Sequence, residues 1–126
     1  MNYLIDSSAW IEYMDGGISG KEVSKFLKEG EIFSLSLIVA EVISKVKREG
    51  MDFELAYKII SSNSKILDIT PQIAKESGLL HAEMKNSKKN FGLIDSIILI
   101  TAKKLKAMLI TKDNHFKGFK ETILIK

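Results

Sequence analysis

The sequence predicts an α/β fold, with a mostly parallel central sheet of four to five strands and helices on both of its faces. Apolar runs too short for helices alternate along the chain with longer segments whose apolar residues recur at helical spacing. The connections between them are short, and a helix that joins two neighbouring strands leaves those strands parallel. This pattern is typical of a sheet that helices cover on both sides.

The first half of the chain contains two predicted strands and four predicted helices. The strands are 3–5 and 31–35, and the helices are 9–14, 19–28, 36–48 and 51–61. Asp6, Ser7 and Ser8, whose types cap helices, separate the first strand from the first helix, and Gly30 and Gly50 end the second and third helices. Five apolar residues of the fourth helix are predicted to face inward: Phe53, Leu55, Ala56, Ile59 and Ile60.

The second half contains three predicted strands and two predicted helices. The strands are 65–69, a run from Ala107 that ends shortly before Asp113, and 122–125, and the helices are 71 to about 84 and 93–106. Pro71 suits the first turn of its helix, where no backbone N–H is needed. Residues 86–92 are the one clear loop, and no linker or internal repeat is present.

Composition narrows the class of protein. A chain of 126 residues with 45% hydrophobic and 28% charged residues is predicted to form a single globular domain over 1–126. The absence of cysteine excludes disulfides, thiolate metal sites and a cysteine nucleophile, and it fits a reducing compartment. No apolar run approaches the roughly 18 residues of a membrane helix. We therefore expect a cytoplasmic protein with no membrane partner.

The net charge of +3 is unevenly distributed. From Lys85 onward the chain has 10 basic and 3 acidic residues, whereas the part before Lys85 has 9 basic and 13 acidic residues. The basic third is either the solvated face of a helix, around Lys103, Lys104 and Lys106, or an electropositive side that attracts a phosphate backbone.

Four carboxylates are candidates for a common site. Asp6 follows the first strand, Asp95 lies in the first turn of a helix and Asp113 follows the fourth strand. The carboxyl ends of parallel strands and the N-termini of the following helices share one edge of a sheet, so these three acids are predicted to be neighbours. Each also has a structural alternative, because aspartate caps helices and stabilises turns.

Glu41 is the fourth acid, and it interrupts an apolar helix. An ionised glutamate surrounded by apolar residues is costly unless it is paired or bound to a metal. Carboxylates that converge also repel one another unless a cation holds them together. An all-oxygen donor set favours Mg²⁺ or Mn²⁺ over zinc, and such ions commonly serve phosphoryl chemistry. A phosphodiesterase is the natural candidate.

The chain resembles the PIN-domain family, and specifically the small VapC-type toxin ribonucleases of toxin–antitoxin pairs. Four segments carry the resemblance: 4–11 (LIDSSAWI), 36–42 (SLIVAEV), 93–98 (LIDSII) and 109–116 (LITKDNHF). Their order and spacing agree with the family along the whole chain, although no single segment is specific. The resemblance implies a PIN-like three-layer sandwich.

The resemblance also implies a metal-dependent endoribonuclease. The residues that would hold one or two Mg²⁺ or Mn²⁺ ions are Asp6, Glu41, Asp95 and Asp113. Ser8 and Thr111 match the family's hydroxyl positions and would support the acids or a bound water. Some relatives have a further acid at the position of His115, so the number of metals stays open. Homodimerisation and a cognate antitoxin protein are implied as well.

Several residues have two interpretations. Lys88, Lys89 and Lys112 flank Asp95 and Asp113 in sequence and are predicted to contact RNA phosphates. Phe91 either stacks on a base or belongs to the core, and the core is favoured. Trp10, with Tyr13 and Met14, either belongs to the core, which is again favoured, or forms part of a protein interface.

Two rival classes remain. A receiver-type signalling domain has similar length and a parallel sheet, but it needs an acidic pair after the first strand and a phospho-accepting aspartate after the third. Only one acid occupies the first place, and Asp68, the candidate for the second, lies within an apolar run. A PIN-like module that binds RNA without cutting it is the second rival, and an RNA-binding or RNA-processing PIN protein that is not a toxin is a further alternative. The RNA target and the antitoxin cannot be read from the chain.

Overall fold

The computed structural model describes all 126 residues. Its strands are β1 (Asn2–Ile5), β2 (Glu31–Leu35), β3 (Lys65–Leu67), β4 (Ala107–Thr111) and β5 (Thr122–Leu124). Its α-helices are α1 (Ser7–Asp15), α2 (Ile18–Glu29), α3 (Ser36–Arg48), α4 (Phe53–Asn63), α5 (Pro71–Met84) and α6 (Leu93–Leu105). A 3₁₀ turn at Asn114–Phe116 follows β4.

All five strands are parallel, and their order in the sheet is β3-β2-β1-β4-β5. The central strand β1 pairs with β2 on one side and with β4 on the other, and Ile5 is opposite Ile110. Three consecutive residues of β1, Tyr3, Leu4 and Ile5, are buried. Because successive side chains point to opposite faces, helices must cover both faces. The predicted fold class is confirmed.

The strand order also bears on the receiver alternative. Receiver domains have the order 2-1-3-4-5, whereas this sheet has the order 3-2-1-4-5. Asp68 follows β3, which lies at an edge of the sheet and is separated from β1 by β2. The receiver interpretation is therefore wrong for this chain.

Side-chain caps stand at the start of three of the six α-helices. Asp6 caps α1, Asp52 caps α4 through the backbone N–H of Leu55 at 3.0 Å, and Thr70 caps α5 ahead of Pro71. None of these helices combines the length and apolar character needed to cross a bilayer.

The core confirms some side-chain predictions and overturns others. Trp10 is fully buried and its indole N–H donates to the Ser34 hydroxyl at 3.0 Å, so it belongs to the core. The prediction that Phe53 and Leu55 face inward is wrong, because they are 37% and 53% exposed. Of the five residues predicted to face inward, Ala56 and Ile60 are buried, whereas Phe53 and Leu55 lie at the surface.

Candidate metal and nuclease site

The candidate site lies at the carboxyl edge of the two central strands. Asp6 directly follows β1, and Thr111 is the last residue of neighbouring β4. The backbone N–H of Asp6 donates to the carbonyl of Ile110 at 3.0 Å, so the strand pairing continues to the site. Asp113 lies two residues beyond Thr111. The parallel sheet thus brings together residues that are more than 100 positions apart in sequence.

Asp6 is buried, with 4% of its surface exposed, and three donors hold its carboxylate. Its Oδ2 accepts a hydrogen bond from the Thr111 hydroxyl at 2.7 Å and from the Ser8 hydroxyl at 3.3 Å, and its Oδ1 accepts from the backbone N–H of Ser7 at 2.8 Å. A carboxylate has about four lone-pair positions. One acceptor position, on Oδ1, therefore remains available.

The two hydroxyls beside Asp6 also organise the turn after β4. Thr111 Oγ1 accepts the backbone N–H of Asp113 at 3.0 Å, and Ser8 Oγ accepts the backbone N–H of Lys112 at 3.0 Å. Ser8 and Thr111, which the sequence placed beside the acids, therefore connect the N-terminus of α1 to the segment that carries Asp113.

Asp95 and Asp113 lie close to His115. Asp95 Oδ2 accepts the backbone N–H of Gly92 at 2.9 Å, and Asp113 Oδ1 accepts the backbone N–H of His115 at 2.9 Å. The imidazole Nδ1 of His115 is 3.1 Å from Asp95 Oδ2 and 3.5 Å from Asp113 Oδ1. One ligand-type atom from each of the three residues falls within 4.8 Å of the others. His115 thus joins a cluster in which the sequence had predicted only acids.

Glu41 lies on an exposed face of α3, whereas the sequence suggested apolar surroundings. The residues of α3 that face the core are Ile38, Val42 and Val46, whereas Glu41 is exposed. The inference that Glu41 lies in fully apolar surroundings is wrong, because one face of α3 remains open to solvent. Glu41 nevertheless faces the other acids, whose charges act on its carboxylate.

Burial and mutual repulsion raise the pKa values of two of the acids, Asp6 and Glu41. Burial raises the pKa of the Asp6 carboxyl above its usual value, hydrogen bonds, chiefly from Thr111, oppose the rise, and the charge of Asp113 adds to it. Partial shielding from water raises the pKa of Glu41, and the charges of the three aspartates raise it further. Four carboxylates therefore share one region at an electrostatic cost.

This donor set fits a hard divalent cation. A cation would relieve the repulsion among the carboxylates, and Asp6 has an acceptor position left for it. The residues that could contribute ligands are Asp6, Glu41, Asp95, Asp113 and His115. The tight cluster comprises only Asp95, Asp113 and His115, whereas Asp6 and Glu41 lie outside it. The carboxylates of this set suit Mg²⁺ or Mn²⁺.

The three predicted RNA-contacting lysines differ in their surroundings. The ammonium of Lys88 donates to the carbonyl of Lys117 at 3.1 Å and lies 4.5 Å from the centre of the Phe119 ring. Lys112 forms an ion pair with Glu12 at 2.8 Å. Only Lys89, in the loop before α6, is exposed with no such partner. Phe91 is 3% exposed and belongs to the core, as favoured from the sequence.

Comparison with known proteins identifies the family. The PIN domain model matches residues 3–121. Among solved structures, a toxin–antitoxin complex from Klebsiella pneumoniae contains a chain that is 25% identical, with a TM-score of 0.76 over 96% of this chain and 95% of that chain. VapBC2 from Rickettsia felis, bound to a DNA fragment from its promoter, gives 21% identity and a TM-score of 0.75 over 98% of this chain and 97% of that chain.

A further structural match is Mycobacterium tuberculosis VapC20, a toxin that cleaves the sarcin–ricin loop, at 12% identity and a TM-score of 0.71, over 94% of this chain and 97% of that chain. None of the curated proteins matches the sequence significantly. The family model spans nearly the whole chain and includes all four acids. The chain belongs to the PIN domain family.

Proposed function

We propose that residues 1–126 form a single Mg²⁺- or Mn²⁺-dependent endoribonuclease unit, and that it acts as the toxin of a VapBC-type toxin–antitoxin pair. The observation that carries the proposal is the meeting of Asp6, Glu41, Asp95 and Asp113, from four different elements, at one edge of the sheet. The similarity to chains of toxin–antitoxin complexes supports the same conclusion.

The protein's own residues divide the work. Asp6 is held by three hydrogen bonds and offers a rigid oxygen ligand, and Asp95 and Asp113 are each oriented by a backbone N–H. A bound divalent ion supplies charge neutralisation at the scissile phosphate and lowers the pKa of a water. The Glu41 carboxylate is exposed and faces the other acids, so we assign it as acceptor of the proton from the attacking water.

Cleavage is tested by incubating the purified protein with RNA in Mg²⁺, in Mn²⁺ and in excess chelator, beside the variant Asp95→Asn. The asparagine oxygen can still accept the N–H of Gly92, so the helix start survives while the charge is lost. We expect a loss of at least about 100-fold in rate, typical of removing a group that acts on transition-state charge.

Asp52→Asn is the matched control. Asp52 also accepts a backbone N–H at a helix start, but it lies outside the acid cluster, and asparagine caps as well as aspartate. This variant should keep full activity. Cleavage that survives chelation or the Asp95 change would refute the nuclease proposal, and RNA binding without cleavage would favour the non-cutting alternative.

An antitoxin partner is supported by a surface at the C-terminal end of α1. A pocket of about 140 Å³ between α1, α3 and α4 is lined by apolar side chains that include Met14, Met51 and Leu55, and by the acids Asp15 and Glu49. Exposed apolar surface rimmed by charge is typical of protein-binding sites. A partner segment with apolar and basic residues would fit it.

The toxin role is tested in cells. Induced expression of the unsubstituted protein should arrest growth, whereas expression of Asp95→Asn should not. Co-expression of a small DNA-binding protein from a neighbouring open reading frame should restore growth. Leu55→Glu should weaken co-purification with that protein, and the fold should tolerate it because Leu55 is 53% exposed. Growth arrest by Asp95→Asn would contradict the toxin assignment.

Homodimerisation is a further part of the proposal. Leu79 on α5, and Leu93 and Ile94 at the start of α6, are large apolar residues that are 57%, 48% and 39% exposed. Such residues are the kind that a subunit interface covers. Light scattering on the purified protein should give twice the mass of one chain, whereas the mass of one chain would contradict the dimer.

A further inference from the structure

A second feature adjoins the acid cluster, namely a groove of about 530 Å³ between α1 and α3. Six of its lining residues are Ser8, Ile11, Leu37, Glu41, Lys45 and Arg48. We propose that this groove binds a single strand of RNA next to the cleavage point, and that Lys45 and Arg48 hold its phosphates. The inference rests on the proposed nuclease function and names a substrate path that the sequence did not predict.

The groove leads directly to the candidate site. Ser8 donates to Asp6, and Glu41 is one of the four candidate acids, so one end of the groove adjoins the candidate site. None of the four acids lines the two other large grooves or the pocket between α1, α3 and α4. A strand whose phosphodiester lies at Glu41 therefore has this groove as its continuous path along the surface.

Two cations follow Glu41 along the same face of α3. Residues at spacings of four and seven positions lie above one another on a helix, which places Lys45 and Arg48 one and two turns beyond Glu41. Seven residues span about 10 Å of helix axis, which is the length of about three stacked nucleotides at about 3.4 Å each. The charges are thus spaced to follow a short length of backbone.

Neither cation is neutralised within the protein. Lys45 and Arg48 form no ion pair with a carboxylate, and the contact of the Arg48 guanidinium is a weak one, from its Nε to the Ser44 hydroxyl at 3.4 Å. By contrast, Lys112 is paired with Glu12 and Lys88 is engaged by a carbonyl and an aromatic ring. Lys45 and Arg48 can therefore bind phosphates without first breaking an ion pair.

The apolar side of the groove favours an unpaired strand. Ile11, Leu37 and Ala40 supply apolar contact area between the charged residues. Bases offer their apolar faces to a protein only where they are unpaired, whereas a duplex presents mainly its backbone. An acidic peptide could also meet the two cations, but it would bring no phosphodiester to Glu41, so RNA is the occupant that the site requires.

The test measures binding of a labelled single-stranded oligoribonucleotide at several salt concentrations, with Asp95→Asn as the parent so that the RNA stays intact. We expect Lys45→Ala with Arg48→Ala to weaken binding at least about 10-fold. Each lost phosphate contact on a single strand should also reduce the slope of log K against log salt by about 0.7, giving a reduction of about 1.4 for the pair.

The control is Lys47→Ala with Lys58→Ala, which removes the same charge away from the groove. Lys47 lies 5.3 Å from the centre of the Phe53 ring, on the α4 side, and Lys58 is exposed on α4. This pair should leave the slope nearly unchanged. In the active protein, which keeps Asp95, the substitutions Lys45→Ala and Arg48→Ala should raise KM. The kcat at saturating RNA should stay close to that of the unsubstituted protein.

Three results would overturn the inference. Equal loss of affinity in both double variants would show a net-charge effect, and an unchanged slope without Lys45 and Arg48 would show that the RNA lies elsewhere. Loss of binding to a protein partner with unchanged RNA binding would assign the groove to that partner. If the unsubstituted protein cleaves RNA and any of these three results is found, only the proposal that the groove binds RNA is refuted. If the unsubstituted protein cleaves no RNA in the presence of metal, the nuclease proposal is refuted as well.

Discussion

Thr111→Val removes the hydroxyl that connects Asp6 to the backbone of Asp113. Thr111 is fully buried, its hydroxyl donates to Asp6 at 2.7 Å, and the same oxygen accepts the N–H of Asp113 at 3.0 Å. Valine has nearly the same shape but neither donates nor accepts a hydrogen bond. The substitution therefore removes these two hydrogen bonds, one of them to a buried carboxylate, together with the 3.2 Å contact to the Ser8 hydroxyl, while the packing is retained.

The expected loss of stability follows from these two bonds. A hydrogen bond to a charged group contributes about 1.5–3 kcal/mol, and an amide left without a partner adds a penalty that is smaller where water can reach it, as at the half-buried Asp113. We expect a total of about 3 kcal/mol. For 126 residues the average unfolding entropy makes each kcal/mol worth about 4 °C in Tm. The Tm should fall by about 12 °C.

The loss should depend on pH. Burial already holds the pKa of Asp6 above its usual value, and the Thr111 hydrogen bond lowers that pKa, so valine should raise it further. A raised pKa in the folded state means that ionisation of Asp6 destabilises the fold. The cost of Thr111→Val should accordingly be largest at neutral pH and shrink as the pH falls through the pKa of Asp6.

Thr101→Val is the matched control. Thr101 is 1% exposed, and its hydroxyl donates only to the Ile97 carbonyl of its own helix at 2.7 Å. Such a bond within a helix adds little, so this variant should lose less than about 1 kcal/mol. Urea or thermal unfolding of both variants over a pH series from pH 8 downward gives the comparison. Equal losses in the two variants, or a Thr111→Val loss that never shrinks as the pH falls, would refute the reasoning.

Three further changes test other parts of the molecule. Glu41→Gln should raise the Tm in chelator at neutral pH, because the raised pKa of Glu41 marks an unfavourable charge. It should also reduce the gain in Tm on adding Mg²⁺. An unchanged Tm in both conditions would contradict the repulsion among the acids. His115→Ala should weaken Mn²⁺ more than Mg²⁺ binding in calorimetry, because imidazole suits Mn²⁺ better, whereas equal effects would remove His115 from the ligand set. Phe91→Ala should cost about 3–5 kcal/mol in urea unfolding, because its ring packs against Phe116 and Phe119, and a loss below about 1 kcal/mol would place it outside the core.

Much of the fold was predictable because local chemistry and burial pattern agree. The bounds of β2 and α3 match the predicted segments 31–35 and 36–48, and α5 begins at Pro71 as predicted. Strands buried on both faces require continuous apolar residues, and capping residues stand at the helix starts. The meeting of Asp6, Asp95 and Asp113 followed from parallel strands, whose carboxyl ends share one edge.

Side-chain environments were less predictable, because they depend on which neighbouring element covers each helix. The apolar residues around α3 predicted a buried Glu41, but the open groove between α1 and α3 leaves it exposed. Phe53 and Leu55 on α4 are exposed as well, because no neighbouring element fully covers them. The groove itself was visible in sequence only as Lys45 and Arg48 at helical spacing from Glu41, a pattern shared by many solvated helices.

By itself, the sequence determined the order of strands and helices and their approximate ends. It also determined which acids stand at strand and helix termini. These features depend on interactions between residues close in the chain. Only the tertiary structure decided which charges are engaged. Lys112 meets Glu12 across 100 positions, and His115 meets Asp95 across 20. Such pairings depend on how helices and turns pack around the sheet, and no short stretch of sequence contains that information.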